Sequence, residues 1–242
     1  MKLPIYFISD VHLNLNGKDY DLEKRNSLSN FFHHILQNGG TLFIVGDLFD
    51  YWFEYKYFIP KNYFDVISKI SQLKSKGVEV NFIPGNHDFW INNFTYNELF
   101  ANIYPDGAKI QIEGKRFFIL HGDGILKKDY GYRVLRKIIR SKLFIFLFKI
   151  IHPDLSYELA KFFSRKKHMN LNDNLMKKLK SELSIFAKNK INDNIDYVLL
   201  GHYHTKDEIN LKNGKLILLG DWIKWKTYAF FDGKDLFLKE WK

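Results

Sequence analysis

The chain has 242 residues, enough for one large α/β domain or two small ones with an ample core. It contains no cysteine, which excludes disulfides, thiolate-bound zinc, iron–sulfur clusters and cysteine nucleophiles. Lysine and arginine outnumber aspartate and glutamate by 37 to 27, a net charge of +10, so anionic partners are admissible and only local clustering of charge can point to one.

Residues 3–9 form a near-continuous apolar run, the pattern of a strand buried on both faces and not of a signal peptide. The run ends in Asp10-Val-His12, and in an extended backbone residues two apart project to the same side. Residues 22–37 carry helical spacing (Leu28, Phe31, Phe32, Ile35, Leu36) and stop at Gly39-Gly40. A second buried strand over 41–45 closes with Gly46-Asp47-Leu48-Phe49-Asp50. A helix over 63–76 follows, then a third strand over 78–83 that feeds Gly85-Asn86-His87-Asp88. Residues 108–112 and 116–120 flank Glu113-Gly114-Lys115, a hairpin signature, and the second strand delivers His121-Gly-Asp123. Residues 130–191 hold no strand candidate and read as several helices, an insertion into the β pattern. A strand over 195–200 ends in Gly201-His202-Tyr-His204. Residues 208–211, 215–219, 227–231 and 236–241 complete the chain as meander strands. No composition shift divides the chain, so residues 1–242 are expected to form a single domain with 130–191 as a helical lid. The longest apolar stretch, around 143–151, falls short of the roughly 20 residues that cross a bilayer.

Strands alternating with helices imply a largely parallel sheet, and the ligands of such sheets gather at the carboxyl ends of strands. Each polar cluster sits at that end of its strand. Together they hold Asp10, His12, Asp47, Asn86, His121, His202 and His204. Any one of these histidines alone would read as a core or surface residue. Two carboxylates, one amide oxygen and four imidazoles without sulfur suit borderline divalent ions such as Mn²⁺, Fe²⁺ or Zn²⁺. Seven ligands are too many for one ion with an open position. Two ions sharing a bridging aspartate use them, and such a pair activates water and clamps a phosphoryl group.

In order, Asp10-Val-His12, Gly46-Asp47-Leu-Phe-Asp50, Gly85-Asn-His-Asp88, His121-Gly-Asp123 and Gly201-His-Tyr-His204 resemble the signature of calcineurin-like metallophosphoesterases. The resemblance implies a four-layer α/β/β/α sandwich. It implies one metal held by Asp10, His12, Asp47 and His204, and another held by Asp47, Asn86, His121 and His202, with manganese the expected ion. It further implies in-line attack of metal-activated water on phosphorus. His87, steadied by Asp88, would neutralise charge on the phosphate or protonate the leaving oxygen. Asp50 and Asp123 read as supports behind metal-bound histidines.

The stretch 133–151, RVLRKIIRSKLFIFLFKII, interleaves cations with large apolar residues. Leu135, Ile138, Ile139, Leu143, Phe146, Leu147 and Ile150 form an apolar band on one helix, which Phe144, Ile145 and Phe148 widen. An ordinary amphipathic helix buries such a band on the core. The wide band instead suits a membrane surface or an acyl-chain recess, with Arg133, Arg136 and Arg140 facing a head group. A second basic knot, Ser164-Arg-Lys-Lys-His168, follows.

Within the superfamily the chain resembles the UDP-2,3-diacylglucosamine hydrolase family, on Gly46-Asp-Leu-Phe followed by Asp50-Tyr51-Trp52, the helical lid after His121-Gly-Asp123, and Gly220-Asp-Trp222. That resemblance implies hydrolysis of an acylated nucleotide-sugar pyrophosphate to UMP and lipid X. It implies head-group contacts at Asn86, His87, His202, Asp129, Tyr132 and Ser164, and peripheral attachment to the cytoplasmic face of the inner membrane. Proteobacterial members usually carry arginine where this chain has His87. The competing enzyme reading is a phosphodiesterase of nucleotides or nucleic acid. The basic residues argue against nucleic acid, because they alternate with aliphatic and Phe side chains and form no polar groove.

Overall fold

The structure, a computed structural model, describes residues 1–91, 94–164 and 173–242, with 160–164 described by their backbone alone. The apolar runs become strands buried on both faces, and the period of two assigns each side chain to a layer. In the first sheet β1 (Ile5–Ile8), β2 (Thr41–Val45), β3 (Glu79–Ile83) and β4 (Asn102–Ile103) run parallel. Antiparallel β10 (Thr227–Phe231) and β11 (Leu236–Glu240) extend it on the β1 side. The second sheet has the order β5 (Ala108–Ile112), β6 (Lys115–Leu120), β7 (Tyr197–Leu200), β9 (Gly214–Leu219), β8 (Lys206–Leu211), with β6, β7 and β9 parallel.

Ile5, Phe7, Phe43, Val45, Phe117, Ile119, Leu199 and Ile217 meet between the sheets. Their alternate neighbours point outward. Tyr6, Ile8, Leu42, Ile44, Val80 and Phe82 pack beneath α1 (Leu22–Asn38) and α2 (Phe64–Ser75). Val198, Leu200, Leu216 and Leu218 pack beneath α6 (Asp173–Asn192). Each fully buried Phe or Leu stabilises this arrangement by roughly 1.5–3 kcal/mol. The result is the α/β/β/α sandwich. The terminal strands do not form one meander, because β8 and β9 join the second sheet while β10 and β11 complete the first.

Two expectations about 130–191 change. Its last helix, α6, buries Leu179, Leu183, Ala187 and Ile191 against the second sheet and is an outer layer of the sandwich. The stretch 133–151 is not one helix but α3 (Tyr130–Ile139) and α4 (Lys142–Ile150), followed by α5 (Pro153–Ser164). The break falls at Ser141, whose hydroxyl accepts the Phe144 N–H at 3.2 Å and starts a new helix. Splitting the helix rotates one half of the apolar band relative to the other.

Candidate active site

The loops after β1, β2, β3, β6 and β7 converge at one edge of the sandwich. Asp10, His12, Asp47, His202 and His204 all adopt left-handed backbone, with φ of 54°, 48°, 52°, 70° and 49°. The expectation that Asp10 and His12 face one side through extended backbone is therefore corrected: two left-handed residues turn the chain there. Each such residue costs on the order of 1 kcal/mol. Loop-to-loop bonds hold them in place: Asp10 N–H to Gly46 O at 3.1 Å, His12 N–H to Asp47 O at 2.9 Å, and His202 N–H to Asp10 Oδ2 at 2.8 Å. Gly85 is required by closeness, since a Cβ there would strike the Asp47 carboxylate.

Three histidines share one orientation. Nδ1–H of His12 donates to Asp50 Oδ1 at 3.1 Å, that of His204 to Asp221 Oδ2 at 3.2 Å, and that of His121 to the Val45 carbonyl at 2.9 Å. Carboxylate and carbonyl oxygens only accept, so Nδ1 of each is the donor and each Nε2 faces the site, where it ligates once its own proton is lost. His121 Nε2 lies 3.3 Å from Asp47 Oδ2 and 3.3 Å from Asn86 Oδ1. His12 Nε2 lies 3.5 Å from Asp47 Oδ2, and His204 Nε2 lies 3.6 Å from Asp10 Oδ1.

Burial alone would depress His12 and His121. The carboxylates of Asp10, Asp50 and Asp47 around the first, and of Asp47, Asp10 and Asp123 around the second, outweigh it and push each to about 10. His202 goes the other way, down to about 4, through burial and its neighbour His121. Asp47 is held well below the usual carboxylate range, because His121, His87 and His12 overcome its burial. The carboxylates thus demand positive charge here. Protons supply it in the metal-free protein, and divalent cations would supply it when bound.

The residues fit such cations. Asp10 Oδ1 and His12 Nε2 are buried, have no hydrogen-bond partner, and lie 3.7 Å apart. A buried orphan costs about 1–3 kcal/mol, and a cation between these two satisfies both. Asp10, His12 and His204 gather their ligand atoms within 4.8 Å of one another, as do Asp47, His121 and His202. A third such group, His12, Asp47 and His87, joins them.

The structure reassigns several neighbours. Asp88 does not steady the His87 ring. Its carboxylate accepts N–H groups of Gly85 (2.8 Å), Leu48 (2.7 Å) and Asp47 (3.2 Å), tying the β2 and β3 loops together, and burial with the Asp47 charge raises it to about 6. His87 is oriented instead by the Asp50 carbonyl, 2.8 Å from its Nδ1. Asp50 stands behind His12 as expected. Among the described residues Asp123 stands behind no histidine: it accepts the Tyr132 hydroxyl at 2.7 Å and an ion pair from Arg136 at 3.3 Å. Asp221 is the residue that sequence reasoning missed, although it lies inside the Gly220-Asp-Trp222 motif already noted. Burial would raise it, but His204 and the Lys224 and Trp225 N–H groups hold it low.

The lid cations turn inward, contrary to expectation. Arg133 donates to the Gly124 and Leu126 carbonyls, Arg136 pairs with Asp123, and Arg140 lies 4.6 Å over the Phe89 ring. Phe148 packs on Phe53 (4.7 Å) and Trp90 (5.0 Å), and Phe144 stacks on Trp90 at 6.3 Å. These two rings fasten α4 to the sandwich. Ile145 lines a cleft of about 190 Å³ shared with Pro84, Phe89, Ile91, Tyr96, Pro105 and Arg140. Asp129 accepts the Leu126 N–H at 3.2 Å. The Ser164 side chain and the basic knot at 165–168 lie outside the described residues. Among the described residues no helix is long and apolar enough to cross a membrane.

The profile of the family described as calcineurin-like phosphoesterase matches residues 3–206. The chain is similar to a UDP-2,3-diacylglucosamine hydrolase of Porphyromonas gingivalis, 30% identical over 258 aligned positions that cover 99% of this chain and 98% of that protein. It is similar to proteins of the same description from Pseudomonas fluorescens, 26% identical over 91% of this chain and 88% of that one, and from Neisseria meningitidis serogroup A, 29% identical over 90% of each.

Proposed function

The chain belongs to the calcineurin-like phosphoesterase family and is a hydrolase of phosphodiester or pyrophosphate bonds; from that premise we propose that it cleaves the pyrophosphate of UDP-2,3-diacylglucosamine to UMP and 2,3-diacylglucosamine 1-phosphate (lipid X) in lipid A biosynthesis. The observation that carries this reading is the reach of the similarity to the Porphyromonas protein. It covers 99% of the chain and so runs through α3 to α5 as well as the ligand-bearing loops. The loops alone would support no more than a phosphodiesterase.

Asp10, His12, Asp47 and His204 would hold one divalent ion, and Asp47, Asn86, His121 and His202 a second, with manganese the expected metal. Bound there, the ions supply an activated water and neutralise charge on the phosphoryl oxygens. His87, with Nδ1–H committed to the Asp50 carbonyl, presents Nε2 as the atom that gives or takes a proton at the phosphate. Tyr132 and Arg136 hold α3 over the site through Asp123.

The apolar cleft beside Ile145 supports acyl-chain binding, since each methylene taken from water contributes about 0.8 kcal/mol. Val134, Leu135, Ile138, Leu143, Phe146, Leu147 and Ile150 are exposed beside Lys137, Lys142 and Lys149. An apolar helical face ringed by cations supports a peripheral seat on the anionic cytoplasmic face of the inner membrane.

The test compares UMP release from the acylated nucleotide-sugar and from its deacylated counterpart, in Mn²⁺ and after chelation. Turnover is expected to need the metal and to favour the acylated substrate strongly. Equal rates on both substrates would refute the lipid reading and leave a phosphodiesterase.

A further inference from the structure

The side chain of His121 is 1% exposed, that of His12 11% and that of His204 30%, while Asn86, His87 and His202 are also partly exposed. His204 is thus one of the places where the cluster reaches the surface. Helices α3 to α5 are fastened elsewhere, to Asp123 and Gly124 through Tyr132 and Arg133, and to Leu15 through Tyr157. Among the described residues no hydrogen bond, ion pair or ring contact joins them to residues 220–226.

The surface beside His204 is built by Trp225. Trp225 Nε1–H donates to the His204 carbonyl at 3.3 Å. The Trp225 backbone N–H donates to Asp221, the carboxylate that also holds His204 Nδ1. The indole is thus held in a set relation to a metal-facing imidazole. The Nζ atoms of Lys206 and Lys224 each lie 4.3 Å from its ring centroid. Lys206 also meets the Glu240 carboxylate, whereas Lys224 has no carboxylate partner among the described residues.

We infer that Trp225 and Lys224 seat the nucleotide half of the substrate, with the base stacked on the indole and the Lys224 ammonium turned onto a phosphate oxygen. The inference rests on the reading of the substrate as a nucleotide-sugar pyrophosphate. Of the two halves of such a molecule, only the nucleotide carries a flat π-face, and an indole recognises that face whatever the base. Of the two lysines at the ring, Lys206 is tied to Glu240, and Lys224 is exposed to solvent and can turn away from it. Displacing a cation from an exposed aromatic face costs less than a base stack returns.

The experiment uses the full chain loaded with Mn²⁺ and titrates UMP calorimetrically into wild type, Trp225→Ala, Trp225→Tyr and Lys224→Ala, with KM and kcat for the acylated nucleotide-sugar measured beside it. Loss of one base stack is expected to weaken UMP about tenfold in Trp225→Ala and to raise KM in step. Lys224→Ala loses about two- to fivefold, the reach of one exposed ion pair. Trp225→Tyr, which keeps a stacking face but not the bond to His204, regains most of the binding. UMP binding equally to Trp225→Ala and wild type overturns the inference. So does a Trp225→Tyr protein as impaired as Trp225→Ala, because the indole would then act only by anchoring His204. If the acylated nucleotide-sugar is not turned over while Trp225→Ala still weakens UMP, the substrate reading fails and the nucleotide seat stands. If the substrate is turned over and UMP binding is indifferent to Trp225, the seat fails and the substrate reading stands.

Discussion

Replacing Asp221 with asparagine changes one terminal atom and reverses one hydrogen bond. Oδ1 of Asp221 accepts three backbone N–H groups, from Ile223 at 3.0 Å, Lys224 at 2.7 Å and Trp225 at 3.2 Å. An asparagine keeps its carbonyl oxygen on that side, because three donors require an acceptor. Its NH₂ must then face His204 Nδ1, where Oδ2 now accepts at 3.2 Å. Two donors cannot meet, so the imidazole moves its hydrogen to Nε2 and loses the lone pair that faces Asp10. Altering the partner behind a metal-bound histidine typically lowers affinity 10–100-fold, which is about 1.4–2.7 kcal/mol. Calorimetric titration with Mn²⁺ reads this directly. The melting temperature of the metal-free protein should barely move, since the turn at 221–225 keeps its acceptor. Metal affinity within twofold of wild type in a folded Asp221→Asn protein would refute the tautomer argument and, with it, the assignment of His204 as a ligand through Nε2.

Two further outcomes follow from the same geometry. His87→Ala should lower the rate about 10²–10⁴-fold, the usual reach of one acid–base group, while metal analysis finds the ions unchanged; loss of both metals would show that His87 is itself a ligand, as its place beside Asp47 and His12 permits. Phe148→Asp should release α4, because it removes a ring packed on Phe53 and Trp90 and places a carboxylate among aromatics, at a cost of about 3 kcal/mol or more. Limited proteolysis should then cut between residues 130 and 164 while Mn²⁺ still binds; an uncut lid would mean that Arg136 and Tyr132 suffice to hold it.

The candidate ligand loops were legible in the chain because each polar cluster ends an apolar strand-like run, and parallel strands bring such ends to one edge. Local pattern therefore carried Asp10, His12, Asp47, Asn86, His121, His202 and His204 to the same place. The partners behind them were another matter. Asp50 was read correctly because it shares a loop with Asp47. Asp221 lies 17 residues from His204, and the role of Asp88 depends on N–H groups some 40 residues away. Such pairings exist only after two loops have been laid side by side, and no periodicity encodes them.

The lid shows the same division. Its helices, its cations and its aromatic run stand plainly in the sequence, and a helical projection arranges them into one band. That projection assumes one unbroken helix. Ser141 caps α4 and ends that continuity, so Phe144 and Phe148 meet Trp90 while Leu143, Phe146, Leu147 and Ile150 remain exposed. Likewise, arginines that look available for a head group find Asp123 and backbone carbonyls first. A charge on a helix goes to the best acceptor within reach, and reach is a property of the assembled layers. Composition and spacing determined which chemistry this protein carries and at which strand ends; which side chain supports which ligand, and which face of the lid stays open, was decided only when distant loops came within about 3 Å of one another, the range over which hydrogen bonds select their partners.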